Sequence, residues 1–121
     1  MNDLIGKPYK LGAAGPDAFD CWTLVVEVAK RRGVIVPELN CEGFKQVEIV
    51  DLASSLRYDI AKETCQPADG DVLLSLRLAH IGTVFGDMVL HTHRRHGVIL
   101  EKLGSFLRTY RDAKAYRWIA S

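Results

Sequence analysis

In the run FDCWTLVVEVAKRRG, residues 19 to 33, Cys21 stands directly behind Asp20 at the first position of a helical pattern. A thiol there lies beside the free backbone N–H groups of a helix start, which favour the thiolate form that acts as a nucleophile. Its own N–H would point where an oxyanion develops during acyl transfer. The competing reading is a small buried residue on a helix stripe, since free cysteines are commonly core residues. A nucleophilic thiol needs a base within hydrogen-bond reach. The chain has four histidines, His80, His91, His93 and His96.

Their placement follows from one turn. If Gly86-Asp87 is a two-residue hairpin turn, Phe85 pairs with Met88 and Val84 with Val89. Gly82 then faces His91, and His80 faces His93. This register sets His80, His91 and His93 on one face of the sheet, with His80 and His91 as diagonal neighbours. A three-residue loop without a bulge would send His91 to the other face. Each histidine alone reads as an exposed strand residue; three on one face beside apolar strands read as a site.

The elements that must carry these residues are legible from periodicity. Residues 1 to 18 are rich in Gly, Pro and Ala and read as a loop, with a helical turn near Leu4 and Ile5. Cys21, Leu24, Val25 and Val28 follow the i, i+3, i+4, i+7 template, so a helix is expected from about 20 to 32. Asp20 is its N-cap, Arg31 and Arg32 suit its C-terminal end, and Gly33 closes it. Ile49, Leu52, Ala53, Leu56 and Ile60 predict a second helix over roughly 46 to 61, whose outer face could dock a partner. After the turn chemistry of QPADGD come strand patterns: DVLLSLRL, HIGTVFGDMVLHTH and GVILEKL. A short helix through Leu103, Phe106, Leu107 and Tyr110 follows, and AYRWIA supplies a last edge strand. Helices first and antiparallel strands afterwards predict an α+β layer fold.

The totals bound the function. With 121 residues and 48% hydrophobic residues, one globular domain over 1–121 is expected. A formal net charge of +1 gives no overall pull toward nucleic acid or membrane. The opening MNDLIGKPY has no basic start followed by an apolar run, so synthesis in the cytoplasm without a signal peptide is expected. Three cysteines, Cys21, Cys41 and Cys65, form no C-x-x-C pair, against a disulfide scaffold or a zinc knuckle. Cys41 and Cys65 have no neighbouring base in sequence. HTHRRH, residues 91 to 96, could be read as a metal site, but it lacks an acidic or thiol ligand at matching spacing and leaves Cys21 unexplained. Its arginines read as solvated loop charges. No metal or cofactor is expected.

The run YKLGAAGPDAFDC, Tyr9 to Cys21, resembles the opening signature of the NlpC/P60 cell-wall cysteine peptidases. PADGDVLLSL resembles that family's Pro-Gly-Asp lead into its first sheet strand, and AHIGTVFGDMVLHT its catalytic-histidine hairpin. The likeness covers about residues 5 to 37 and 67 to 103 in consistent order, and does not extend to 38 to 66. It implies a papain-like α+β fold, with N-terminal helices packed on a central antiparallel β-sheet. It implies Cys21 as nucleophile, His80 as general base and His91 as the residue that orients the base. Tyr9 matches a tyrosine beside the nucleophile, and Asp20 matches an acidic residue that grips substrate amine or amide groups. Trp22 and His93 are the further expected substrate contacts. Trp22-Thr23 stands where the family commonly has Ser-Gly. Ala13 and Ala18 replace glycines of the pattern, and the tryptophan variant is similar to a subset in phage and prophage tail proteins.

The expected function is a phage tail-associated peptidoglycan endopeptidase that cuts a stem-peptide amide through a thioester on Cys21. Its partners would be the wall stem peptide and tail hub or baseplate proteins, with the protein carried at the virion tail tip. The rival is a structural tail-tip component with a papain-like fold and little or no hydrolase activity.

Overall fold

The computed structural model describes residues 2–34, 36 and 61–119. Its elements run α1 (Cys21–Arg31), β1 (Ala61–Thr64), β2 (Val72–Ser75), β3 (His80–Phe85), β4 (Met88–His93), β5 (Gly97–Lys102), α2 (Leu103–Thr109) and β6 (Lys114–Trp118). The strands form a 6-stranded antiparallel sheet in the order β1-β6-β2-β3-β4-β5. The α+β expectation holds, with α1 on one face and α2 on the other. The helix expected over 46 to 61 lies outside the described residues, except that Ala61 begins β1.

α1 forms where its apolar spacing and caps agree. Leu24, Val25, Val28 and Ala29 make its buried stripe. Burying Leu24, Val25 and Val28 contributes on the order of 1.5–3 kcal/mol each. At the start, the Asp20 carboxylate accepts the Thr23 N–H while the Thr23 hydroxyl accepts the Asp20 N–H, a reciprocal capping box. Thr23, unusual at this position, therefore has a structural reason. At the far end, Gly33 has φ +78, and the Gly33 and Val34 N–H groups bond Lys30 O and Ala29 O, closing the helix as expected.

The strands alternate between the two faces. Ile81 and Phe85 of β3, Leu90 of β4 and Val98 of β5 meet α1 and the N-terminal loop residues Leu4 and Phe19. Val84, Val89 and Leu73 meet Phe106, Leu103 and Leu107 of α2 on the opposite face. The β3–β4 register has Phe85 opposite Met88 and Val84 opposite Val89, so Gly86-Asp87 is the two-residue turn the sequence predicts. Gly86, at φ +60, supplies the left-handed turn conformation.

Two strand expectations need correction. β6 is an interior strand, because β1 pairs along its other side. The predicted strand over 71 to 78 stops at Ser75, where a turn over 76 to 79 leads directly into His80. The turn is stabilised by Asp112, which accepts from the Ser75 hydroxyl at 2.7 Å and the Arg77 N–H at 2.9 Å. Asp71, ahead of β2, is buried; it accepts two hydrogen bonds from Arg117 of β6 and one from the Ala68 N–H.

Candidate active site

Where β3 begins and β4 ends, residues from both sheet faces converge on one cavity of about 400 Å³. Cys21, Tyr9, Ala79, His80, Thr92, His93, Arg94 and Tyr110 are among the residues that line it. Cys21 comes from the first position of α1, and His80 is the first residue of β3. Nucleophile and base candidates thus share a wall, although among the described residues no hydrogen bond joins thiol to imidazole.

The imidazole is held by a chain of bonds on the α2 face. His80 Nε2 lies 2.9 Å from His91 Nδ1, and His91 Nε2 lies 2.9 Å from Glu101 Oε1 of β5. Ser105 of α2 donates its hydroxyl proton to the other Glu101 oxygen. The Tyr110 ring stacks on His80 with centroids 4.7 Å apart, and Phe106 meets His91 edge to face at 4.9 Å. The diagonal placement of His80 and His91 is as expected, and it is His91, rather than His93, that contacts the base candidate. Gly82 permits the close strand approach: a Cβ there would lie 2.8 Å from Val89 Cγ1 and 3.0 Å from His91 Cβ.

Burial governs the protonation states. Desolvation lowers the His80 pKa to about 3, reinforced by His91, His93 and Arg94, so the ring is neutral at physiological pH. His91 is also lowered by burial, although Glu101 opposes the shift. Cys21 is 3% exposed, and desolvation, with the charge of Asp20, pushes its thiol up to about 12. The backbone N–H groups of Ile81, Trp22 and Cys21 favour the thiolate but do not win. The helix start therefore does not ionise the sulfur as its position alone would predict; the resting couple is a neutral thiol and a neutral imidazole.

Tyr9 is held over the site by the N-terminal loop, with the Lys10 N–H bonded to Phe19 O and the Phe19 N–H to Pro8 O. Burial, then the nearby Cys21 and Asp20, raise its phenol pKa, which keeps the hydroxyl protonated as a donor. His93 also borders the cavity; its Nδ1 accepts the Arg95 and His96 N–H groups, and its ring stacks on His96 at 4.6 Å.

Asp20 and Trp22 do not line the cavity. Asp20 is 1% exposed, one carboxylate oxygen capping Thr23 at 2.8 Å and the other accepting the Gly12 N–H at 3.1 Å. Trp22 packs in the core with Val25, Val72, Leu74, Ile81 and Tyr116. The side chains expected to touch substrate there are instead taken up by helix capping and by core packing. Cys65 is a free, exposed thiol, and Cys41 lies outside the described residues. Sequence reasoning assigned no site role to Glu101, Tyr110 or Thr92 and read Arg94 as a solvated loop charge. Tyr110, Thr92 and Arg94 line the cavity, and Glu101 bonds His91 behind it. The Thr92 hydroxyl is buried with no hydrogen-bond partner among the described residues.

A cysteine at a helix start, a histidine from an adjoining strand and a second histidine behind it are the parts of a papain-like arrangement. The NlpC/P60 family model matches residues 6–117, nearly the whole chain. The chain belongs to the NlpC/P60 family. Its α+β architecture, a helix carrying the cysteine against an antiparallel sheet carrying the histidines, is the papain-like fold of that family. NlpC/P60 proteins are in general cysteine peptidases that act on peptidoglycan. No curated protein sequence matches the chain. Among the described residues of this NlpC/P60 chain, no group of His, Cys, Asp and Glu is arranged to hold a metal ion. No described helix is long and apolar enough to cross a membrane.

Proposed function

We propose that this NlpC/P60 protein is a peptidoglycan endopeptidase that cleaves a stem-peptide amide bond through a thioester on Cys21. The observation that carries this reading is the single cavity shared by the Cys21 thiol and an imidazole whose far nitrogen is already engaged by His91. With Nε2 of His80 occupied, Nδ1 is the nitrogen left to accept a proton.

In this mechanism His80 Nδ1 takes the Sγ proton as sulfur attacks the carbonyl carbon, so no standing ion pair is required. The carbonyl oxygen gains the negative charge, and the N–H of Cys21 and the Tyr9 hydroxyl are the donors for it. When the tetrahedral intermediate collapses, the C–N bond breaks and the amine leaves with the proton held on His80. Water then attacks the thioester with His80 again as base, releasing the carboxylic acid and restoring the thiol. Arg94, at the rim, would meet anionic groups of the stem peptide.

The association with a phage tail, and action at a virion tail tip after synthesis in the bacterial cytoplasm, belong to the same proposal. Their support is the Asp20-Cys21-Trp22 variant, similar to the tail-protein subset; hub or baseplate proteins would be the partners. Incubating the protein with peptidoglycan and analysing the muropeptides tests the hydrolase. New amine termini are expected from the natural chain and none from Cys21→Ala; equal release by both ends the enzymatic claim.

A second reading, a structural tail component with little activity, draws on the buried, protonated thiol. Normal infection by particles assembled around Cys21→Ala would favour it.

A further inference from the structure

We propose that Glu101 is a positioning residue that fixes which nitrogen of His91, and through it of His80, carries the proton. The inference rests on the hydrolase reading for its consequence but not for its geometry. A carboxylate accepts hydrogen bonds and cannot donate them. The 2.9 Å contact from Glu101 Oε1 therefore places the single proton of neutral His91 on Nε2. His91 Nδ1 is then a bare acceptor, and its 2.9 Å contact with His80 places the His80 proton on Nε2. His80 Nδ1 is left unprotonated, which is the form a general base must have.

The arrangement is built rather than incidental. Ser105, in the first turn of α2, donates to the second Glu101 oxygen and so holds the carboxylate from the helix side. His91 is buried, so water does not compete for its nitrogens. Phe106 and Tyr110 wall the rings against rotation. Were His91 protonated on Nδ1 instead, it would donate to His80 Nε2. That would force the His80 proton onto Nδ1, where it blocks uptake of the thiol proton. A side chain with no contact to the substrate cavity thereby decides whether the base is competent.

Nitrogen NMR of ring-labelled histidines in the full chain reads the tautomers directly. In the natural protein, His80 and His91 are both expected to carry hydrogen on Nε2 with Nδ1 bare; His91 protonated on Nδ1 overturns the proposal without any variant. Glu101→Leu leaves a buried His91 Nε2–H with no acceptor, so the Nδ1–H tautomer is expected to predominate at both rings, with the competent form a small minority. Its kcat on peptidoglycan fragments should fall at least about tenfold, within the ~10²–10⁴ that a general base supplies, with KM little changed. Glu101→Gln, whose amide oxygen still accepts from His91 while its NH₂ faces Ser105, should restore both the tautomers and most of the rate. Unchanged tautomers in a folded Glu101→Leu protein would overturn the assignment even if activity were lost. The expected tautomers in a protein that cuts no peptidoglycan would instead sink the hydrolase reading alone.

Discussion

The two faces of the sheet hold their halves of the site by different physics. On the α1 face, Cys21 is placed by an apolar stripe and a capping box, in surroundings that keep its sulfur protonated. On the α2 face, His80 is placed by a run of polar contacts through His91, Glu101 and Ser105, walled by aromatic rings. Packing fixes position and, by excluding water, favours the neutral thiol, but it does not choose between sites for a proton. A hydrogen-bond chain fixes position and proton together, at the risk that losing one member disturbs all the others. The difference suits a nucleophile that must only be in place and a base that must be in one tautomer.

Substitutions on each face test that contrast. The largest effect is expected from Gly97→Ala. At φ +71 its Cβ would drive into the Lys7 carbonyl oxygen, where the loop carrying Tyr9 bonds to β5. Denaturant unfolding should show a loss of about 3 kcal/mol or more, since strain and a backbone clash combine. Gly82→Ala presses on Val89 and His91; a loss of about 1–3 kcal/mol is expected from overpacking. Because the clash falls on the proton chain, activity should drop further than unfolding alone explains; intact activity would show that the chain tolerates displacement.

Asp20 separates packing from charge. Asp20→Ala removes the cap and the Gly12 contact together and should cost about 2 kcal/mol or more. Asp20→Asn keeps the Thr23 cap but turns its NH₂ toward the Gly12 N–H, a smaller loss of about 1 kcal/mol. Both remove a charge that raises the Cys21 pKa, so alkylation of the thiol by iodoacetamide should begin at lower pH in both. An unshifted profile would mean that burial alone sets the thiol.

The smallest effect near neutrality is the pH dependence of folding. His80 is lowered from 6.5 to about 3, so between these values the unfolded chain binds a proton that the folded one does not. Its contribution is present above pH 6.5 and is lost as pH falls toward 3; His80→Gln should flatten that acid limb. Cys21 is raised from 9.0 to about 12, so its contribution is present below pH 9 and is lost as pH rises toward 12. Cys21→Ala should flatten the alkaline limb, and urea midpoints across pH check both.

The same contrast explains what was legible in the sequence. α1, its caps and the hairpin turn rest on local patterns: the spacing of Leu24, Val25 and Val28, Asp20 at the start, Gly33 at the end, Gly86-Asp87 between apolar runs. Those patterns gave Cys21, His80 and His91 their places. β1 was not legible, because Ala61–Thr64 reads AKET, without apolar alternation, and is a strand through its pairing with β6. That missing neighbour is also why β6 looked like an edge. Glu101 reads as an ordinary outward residue in GVILEK. The β4–β5 register, with Val89 opposite Glu101 and His91 opposite Ile99, sets it diagonal to His91 on one face, and α2 covers that face through Ser105. Burial at Cys21 was visible as a stripe position, but its outcome for the thiol depended on the desolvation and the Asp20 charge together, which spacing does not weigh.

The most direct test is to trap the acyl-enzyme. Acid-quenched mixtures of the protein with stem-peptide fragments, read by mass spectrometry, should show the acyl group as a mass increase on the peptide containing Cys21, and His80→Gln should show none. Amide cleavage with Cys21 left unmodified throughout, or an adduct that forms equally well in His80→Gln, would contradict the account.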